Sequence, residues 1–339
     1  MQCLNTKKVC SLFFLTTMTS KHYIKKYLIP AAVLFFLQLS SIKAQDSNYV
    51  KKYDNMLSVK ILSYYDGFDF KDKVSGLNYI PGLHTGVGTG FYFKYIPFDF
   101  SVRQEFSGLG DAKYHKRKTT NMQLKGYSKY FAGDIFIQKY NGFYTSEVVS
   151  YKTKYKTLKE LEYKPDLEIF LLDAVGKYIF NHEHFSYKAG FTAYERQLIS
   201  SGSFMCGASL HLMKIKSDST LVRINNSSDL KTCNFGVNTG YAYNFVFGKR
   251  STLFSSILLG LNVSNLLKKA EDNPGLLLWP SCYFKGAYWL NFDKWSLGLT
   301  CVYNVIHHVF EEDVAVYINS RRVELLLIRR LFYKKKSKK

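Results

Sequence analysis

Across 339 residues the chain carries 47 Lys and Arg against 26 Asp and Glu, a formal net charge of +21, yet 47% of it is hydrophobic and 17% aromatic, with 27 Tyr, 27 Phe and only 6 Pro. So aromatic a composition is foreign to a soluble enzyme and suits the interfacial girdles of a transmembrane β-barrel. The charge alone would admit a nucleic-acid partner, but the export signal described next removes nucleic acid and leaves phosphate-bearing lipid headgroups or a merely solvated surface.

In chain order, residues 21–44, "KHYIKKYLIPAAVLFFLQLSSIKA", run from basic Lys21, Lys25 and Lys26 through an apolar stretch, Leu28 to Leu39, to a small-residue end at Ala44. This is the layout of a secretory signal peptide, with an apolar part too short to span a bilayer. The expected signal is residues 1–44, with Met18 an alternative start and cleavage before Gln45; a single membrane anchor is the competing reading. A short periplasmic lead, 45–55, would precede a barrel over 56–333, followed by a basic tail at 334–339.

Within that span apolar residues fall on alternate positions, as in a strand with one apolar face. "PFDFSVRQEF" (97–106) sets Phe98, Phe100, Val102 and Phe106 against Asp99, Ser101, Arg103 and Glu105. The uncharged runs 232–248 and 251–267 approach the length of a spanning helix. At period two, however, the first sorts Phe235, Val237, Tyr241 and Phe245 against Gly236, Asn238, Gly240 and Asn244, an order only a strand keeps. Further alternating runs lie at 57–65, 85–95, 120–127, 131–141, 167–181, 185–194, 204–214, 281–292, 295–305 and 322–332. Strands of about 9 to 11 residues cross a bilayer at a tilt.

Short links near residue 96, at 128–130, 181–184, 248–251 and 292–294 alternate with long polar stretches at 66–84, 107–118, 142–165, 215–231, 265–276 and 306–321. Short periplasmic turns and long outer loops are the asymmetry of an outer-membrane barrel. Parity fails once: between 185 and 215 two strand-like runs flank "ERQLISSGS" where one crossing is required. One run folding into the lumen gives about twelve spanning strands, within a range of ten to fourteen. The fold class is therefore all-β, a transmembrane antiparallel up-and-down β-barrel.

The segments "LNYIPGLHTGVGTGFYFKYIPFDFSV" (77–102), "NMQLKGYSKYFAGDIFIQKYNGFY" (121–144) and "YIFNHEHFSYKAGFTAYERQLISSGSF" (178–204) resemble the DUF4421 family, predicted outer-membrane barrels of Bacteroidetes-type bacteria. "ERQLxxxGSF" is the most specific part. The resemblance implies a Gram-negative outer membrane and a barrel, and brings no reaction, ligand or catalytic residue. The chain departs at its end, where Phe332-Tyr333 is followed by "KKKSKK" in place of a terminal aromatic residue.

Chemical motifs are few. The glycines of "GVGTG" (86–90) alternate within a strand instead of opening a strand-to-helix turn, which indicates close packing on the lumen side. Cys206, Cys233, Cys282 and Cys301 show no metal or disulfide spacing and read as small strand residues. His182, His184, His307 and His308 read as solvated turn or strand-end residues, and no cofactor is called for. The candidate lumen residues are Arg103, Glu105, Asp134, Glu195, Arg196 and Lys285, which either line an aqueous path or pair to plug it. Arg103 and Glu105, two positions apart, are expected to share an ionic network. Lys113, His115, Lys116, Arg117 and Lys118 would sit on an outer loop facing lipopolysaccharide phosphates or solvent. Expected partners are outer-membrane lipid and, during insertion, the barrel-assembly machinery. The leading functional expectation is a non-enzymatic barrel for small-solute passage or envelope structure. The alternatives are a lipid hydrolase, with Ser209 and His211 as its one lumen-side pair, and a surface adhesion module.

Overall fold

The computed structural model describes residues 45–72, 77–81, 84–95, 98–105, 118–147, 162–217, 229–266, 277–311 and 314–333. The expected signal and tail and the basic segment 113–117 lie outside them, as do the side chains of Lys118 and Glu105. Strands β2 (Asn55–Asp72), β4 (His84–Phe93), β5 (Phe98–Glu105), β6 (Lys118–Tyr127), β7 (Phe131–Glu147), β8 (Glu162–Ile179), β10 (Ser201–Lys216), β11 (Asp229–Phe247), β12 (Ser251–Leu266), β13 (Leu277–Asn291), β14 (Trp295–Glu311) and β15 (Val314–Tyr333) follow one another around a ring. All neighbours are antiparallel, and β15 pairs back onto β2, Val316 opposite Asp72 down to Tyr333 opposite Asn55. The chain is a twelve-stranded up-and-down barrel.

Alternation assigns the faces as the sequence predicts. Val102 (75% exposed), Leu259 (55%) and Val237 (63%) look outward, while Asn238 and Lys285 are buried in the lumen. Outside, an apolar belt replaces the solvated face of a soluble sheet. The glycines of β4 also act as predicted: a Cβ at Gly88 would stand 2.7 Å from the Val102 carbonyl oxygen and 3.0 Å from Leu62. Their absence of side chain lets β5 and the large inward residues of β2 close over this part of the wall.

Two sequence expectations are corrected. The long links are shorter than their polar composition suggests, because strands run on into them: β14 and β15 reach Glu311 and Val314, so 306–321 is mostly hairpin. Beyond the apolar belt a strand needs no lipid-facing residues, so the alternation fades while the hydrogen-bond ladder continues. The run 185–194 is not a strand. It carries a helix, α1 (Tyr187–Thr192), followed by β9 (Glu195–Gln197), which pairs with β1 (Val50–Lys52) in a separate two-stranded ladder. The segment between β8 and β10 adds no strand to the ring: its helix is buried in the lumen while Phe180, Leu198 and Ile199 stay exposed, which resolves the parity in favour of twelve strands.

The wall is not uniform. Near the short turns it passes from β2 to β7 through β4, β5 and β6, but β5 and β6 are joined by only two register pairs, Phe98 opposite Gly126 and Asp99 opposite Lys125. Toward the long links β3 (Leu77–Ile80) bridges β2 and β7 directly. One strand there replaces three, and it carries Tyr79 inward against Phe70, ring centroids 5.0 Å apart.

Candidate functional site

The polar lumen residues are the natural place to look for function, and they lie between two apolar layers. Toward the long links, Phe68, Phe70, Tyr79, Tyr140 and Phe143 form a buried cluster. Toward the short turns, α1 brings Tyr187 and Phe191 against Phe254 of β12. Between them is a layer of buried charges.

Each charge in that layer has a partner from a different strand. Arg103 Nη2 donates to Glu324 Oε1 at 2.6 Å, and Lys125 stands 3.7 Å from the other oxygen of Glu324. Lys60 pairs with Asp99. Arg322 forks onto both oxygens of Asp66 and donates to Gln123 Oε1 at 2.7 Å. Asp134 is held by Lys285, by Lys177 at 3.7 Å and by the Tyr127 hydroxyl at 2.7 Å. A buried ion is tolerated only where Coulomb attraction and hydrogen bonds offset its desolvation, and this layer supplies both. The Glu105 side chain, the partner expected from the sequence, lies outside the described residues; the carboxylate that Arg103 meets among them is Glu324, on the last strand. The closed ring carries β15 across the narrow lumen to Arg103.

The plug is seated on this layer. Lys177 lies 4.4 Å from the Tyr187 ring centroid, Lys285 4.7 Å and Lys125 5.1 Å from that of Phe191. Aromatic faces attract cations, the more so when water is excluded. Helix α1 is also tied to the wall: Trp289 Nε1 donates to the Gly190 carbonyl at 2.9 Å, and Arg330 Nη2 to the Ala193 carbonyl at 2.8 Å. Any side chain at Gly190 would collide with Asn244 and Phe254. Ala193 ends the helix in the left-handed region at φ 54°.

The pattern "ERQLxxxGSF" is explained by this seating. Ser186 caps α1, its hydroxyl accepting from the Ala189 N–H at 3.0 Å and donating to Glu195 Oε2 at 2.7 Å. Glu195 also faces Lys188 at 3.4 Å. Gln197 donates to the carbonyls of His184 (2.6 Å) and Ile199 (3.0 Å) and accepts from the Ser186 N–H (3.0 Å) and Asn244 Nδ2 (3.1 Å). Arg196, by contrast, points to the short-turn rim. The sequence indicated the segment but not its purpose, because these contacts join residues up to 47 positions apart.

Burial alone would raise the Glu195 pKa, but Lys188 and the Ser186 hydroxyl hold it below the ordinary value of 4.5. Burial alone would lower Lys188, and Glu195 with Tyr92 raises it above 10.5. A depressed carboxyl stabilises the fold above its unfolded pKa and loses that contribution as pH falls through the folded one; a raised lysine contributes below its unfolded pKa. The pair therefore supports the plug between about pH 4.5 and 10.5. Acidification below pH 4.5 is expected to loosen α1, shifting the emission of Trp289, while Glu195→Gln shows the loosened signal already at pH 7. An identical acid transition in wild type and variant would assign the change elsewhere.

The Ser209–His211 pair does not assemble. The His211 ring bridges Asp173 Oδ1 (2.8 Å) and the Tyr283 hydroxyl (2.7 Å), and Ser209 donates to Asn262 Oδ1 at 3.2 Å. Among the described residues the cysteines are free, and no group of three metal-ligating side chains occurs. Two cavities beside the charge layer have volumes of about 10 and 20 Å³, room for single waters.

The family described as "Domain of unknown function (DUF4421)" matches residues 44–328. The chain belongs to this family. Among solved structures, the DUF4421 barrel is similar to a bacterial polysaccharide outer membrane secretin, at 9% identity over 82% of this chain and 99% of that one, TM-score 0.35. It is also similar to the translocator domain of the autotransporter NalP from Neisseria meningitidis (10% identity, 86% and 91% covered, TM-score 0.37). The outer membrane protease OmpT from Escherichia coli matches at 7% identity over 86% and 99%, TM-score 0.28. No curated protein matches the sequence.

Proposed function

We propose that this DUF4421 protein is a closed, non-enzymatic barrel of the Gram-negative outer membrane that serves envelope structure and not passive solute passage, with its short-turn end in the periplasm. The observation that carries this reading is the filled lumen: a helix hydrogen-bonded to β13 and β15, seated on a layer of paired charges, beneath a second aromatic layer. An open pore keeps a wet path between its inward polar groups; here those groups bond to one another. The charge pattern has the same sense, since a channel gains selectivity from a charge ring of one sign, whereas here both signs are interleaved and every cation named faces a carboxylate, Glu324 and Asp134 each serving two.

Purified protein in planar bilayers is expected to give no sustained single-channel steps at neutral pH. A steady ohmic conductance that rises with salt concentration would replace this reading with the passage one. A conductance appearing only below pH 4.5, in step with the Trp289 signal, would be the behaviour of a plug held by Glu195.

A further inference from the structure

The short-turn rim carries a cleft of about 650 Å³ that the plugged lumen does not use. Its volume falls in the range of small-ligand sites, roughly 300–1,000 Å³. Six cationic side chains line it, Lys51, Arg196, Lys249, Arg250, Lys294 and Arg329, against the single carboxylate of Asp293. They come from separate parts of the fold: β1, β9, the turn after β11, the turn after β13, and β15.

Three further features indicate a ligand. Lys51 and Arg196 are direct register partners in the β1–β9 ladder, and like charges directly opposite are destabilising unless an anion lies between them. Asp293 meets part of this need, at 3.1 Å from Lys51 Nζ and within electrostatic reach of Arg196. Asn291, 1% exposed and lining the same cleft, has a buried Nδ2 without a hydrogen-bond partner, while its Oδ1 accepts from Ser296 Oγ at 2.8 Å. A buried amide left unpaired is costly and is ordinarily satisfied by an acceptor.

The cleft opens onto the outer wall. Trp295 and Arg329 are register partners on the outward face, at the end of the apolar rows Leu297 and Leu299 on β14 and Leu325 and Leu327 on β15. Phe292 stacks on Trp295 at 3.8 Å, with Arg250 4.8 Å from the Phe292 ring centroid. Interfacial aromatics mark headgroup depth. A soluble anion would have no use for the adjoining apolar wall. We infer that this cleft binds the headgroup of an anionic phospholipid, its phosphate among the six cations and Asn291 Nδ2, its acyl chains along the outward faces of β14 and β15.

The inference rests on the membrane reading above but is tested without a membrane. The full mature protein in neutral detergent is titrated calorimetrically with dihexanoyl phosphatidylglycerol below its micellar concentration, then with dihexanoyl phosphatidylcholine and with inorganic phosphate. Saturable binding of the anionic lipid alone is expected, weakening as salt rises. Charge-assisted contacts set roughly a tenfold loss for each of Arg250→Gln and Lys294→Gln. Asn291→Asp, which keeps the acceptor for Ser296 but puts a carboxylate where the free donor stood, is expected to abolish binding; an unchanged heat-modified gel shift shows that each variant is folded. Equal binding of both lipids, inorganic phosphate binding as tightly as the lipid, or variants that bind like wild type would each overturn the assignment. None of those results would make the barrel conduct.

Discussion

Glu324→Gln is expected to destabilise the folded barrel by about 3–5 kcal/mol, the range for removing one partner of a buried ion pair. The loss is not the worth of a contact. Glu324 is the shared counter-charge of Arg103 and Lys125 and lies beside the Asp66–Arg322 pair, so without it Arg103 loses its carboxylate and Lys125 is left with Asp99, its register partner, which already pairs with Lys60. Arg103→Met alone should cost less, because Lys125 remains to face Glu324. The double variant Arg103→Met/Glu324→Gln should fall well short of the sum of the singles, since each removes the reason the other is costly. Urea unfolding in lipid vesicles, followed by the heat-modified gel shift, reads all three. Additive losses would mean that the charges of the layer act independently.

The second large effect is on the outer face. Leu259, exposed on the lipid side near the middle of β12, pairs with Thr239 and Cys282 on its neighbours. Leu259→Arg should cost about 2–4 kcal/mol through transfer of a guanidinium into hydrocarbon. From the sequence, Arg at the lumen position Asn238 would be expected to escape that penalty. The structure removes the contrast. Asn238 is 4% exposed and packs on Gly260, which has no room even for a Cβ beside it, so Asn238→Arg overpacks a filled interior, at about 1–3 kcal/mol. The informative comparison is the recovery of Leu259→Arg and of Asn238→Arg on transfer to detergent. Lipid-face damage should vanish in a detergent that solvates the guanidinium, and overpacking should not. Equal recovery of Leu259→Arg and Asn238→Arg in that detergent would refute the assignment of faces.

Much of this architecture is written in the order of residues along the chain, because the two faces of a strand are a local property. Phe100 and Val102 face outward and Arg103 inward by the pleat alone, whatever the strand pairs with. The same period distinguishes β11 and β12 from spanning helices, and the spacing of short links gives their alternation and the strand count. Even the lumenal fold at 185–200 was signalled, as a failure of parity. Its form was not: α1 is six residues, less than two turns, all buried but Lys188, so it presents no amphipathic period, and its cap and anchors, Ser186 aside, come from Glu195, Gln197, Asn244, Trp289 and Arg330.

What only the tertiary structure decided is which inward groups meet. Arg103 and Glu324 are 221 residues apart, and no spacing rule links them; they touch because β15 closes on β2 and the lumen is narrow enough for side chains to reach across. The same closure fills the lumen, gathers five chain segments into one basic cleft at the rim, and leaves Asn291 beside it with a donor unspent. Faces follow from backbone geometry, which each residue carries with it. Partners follow from ring closure, which belongs to no residue by itself.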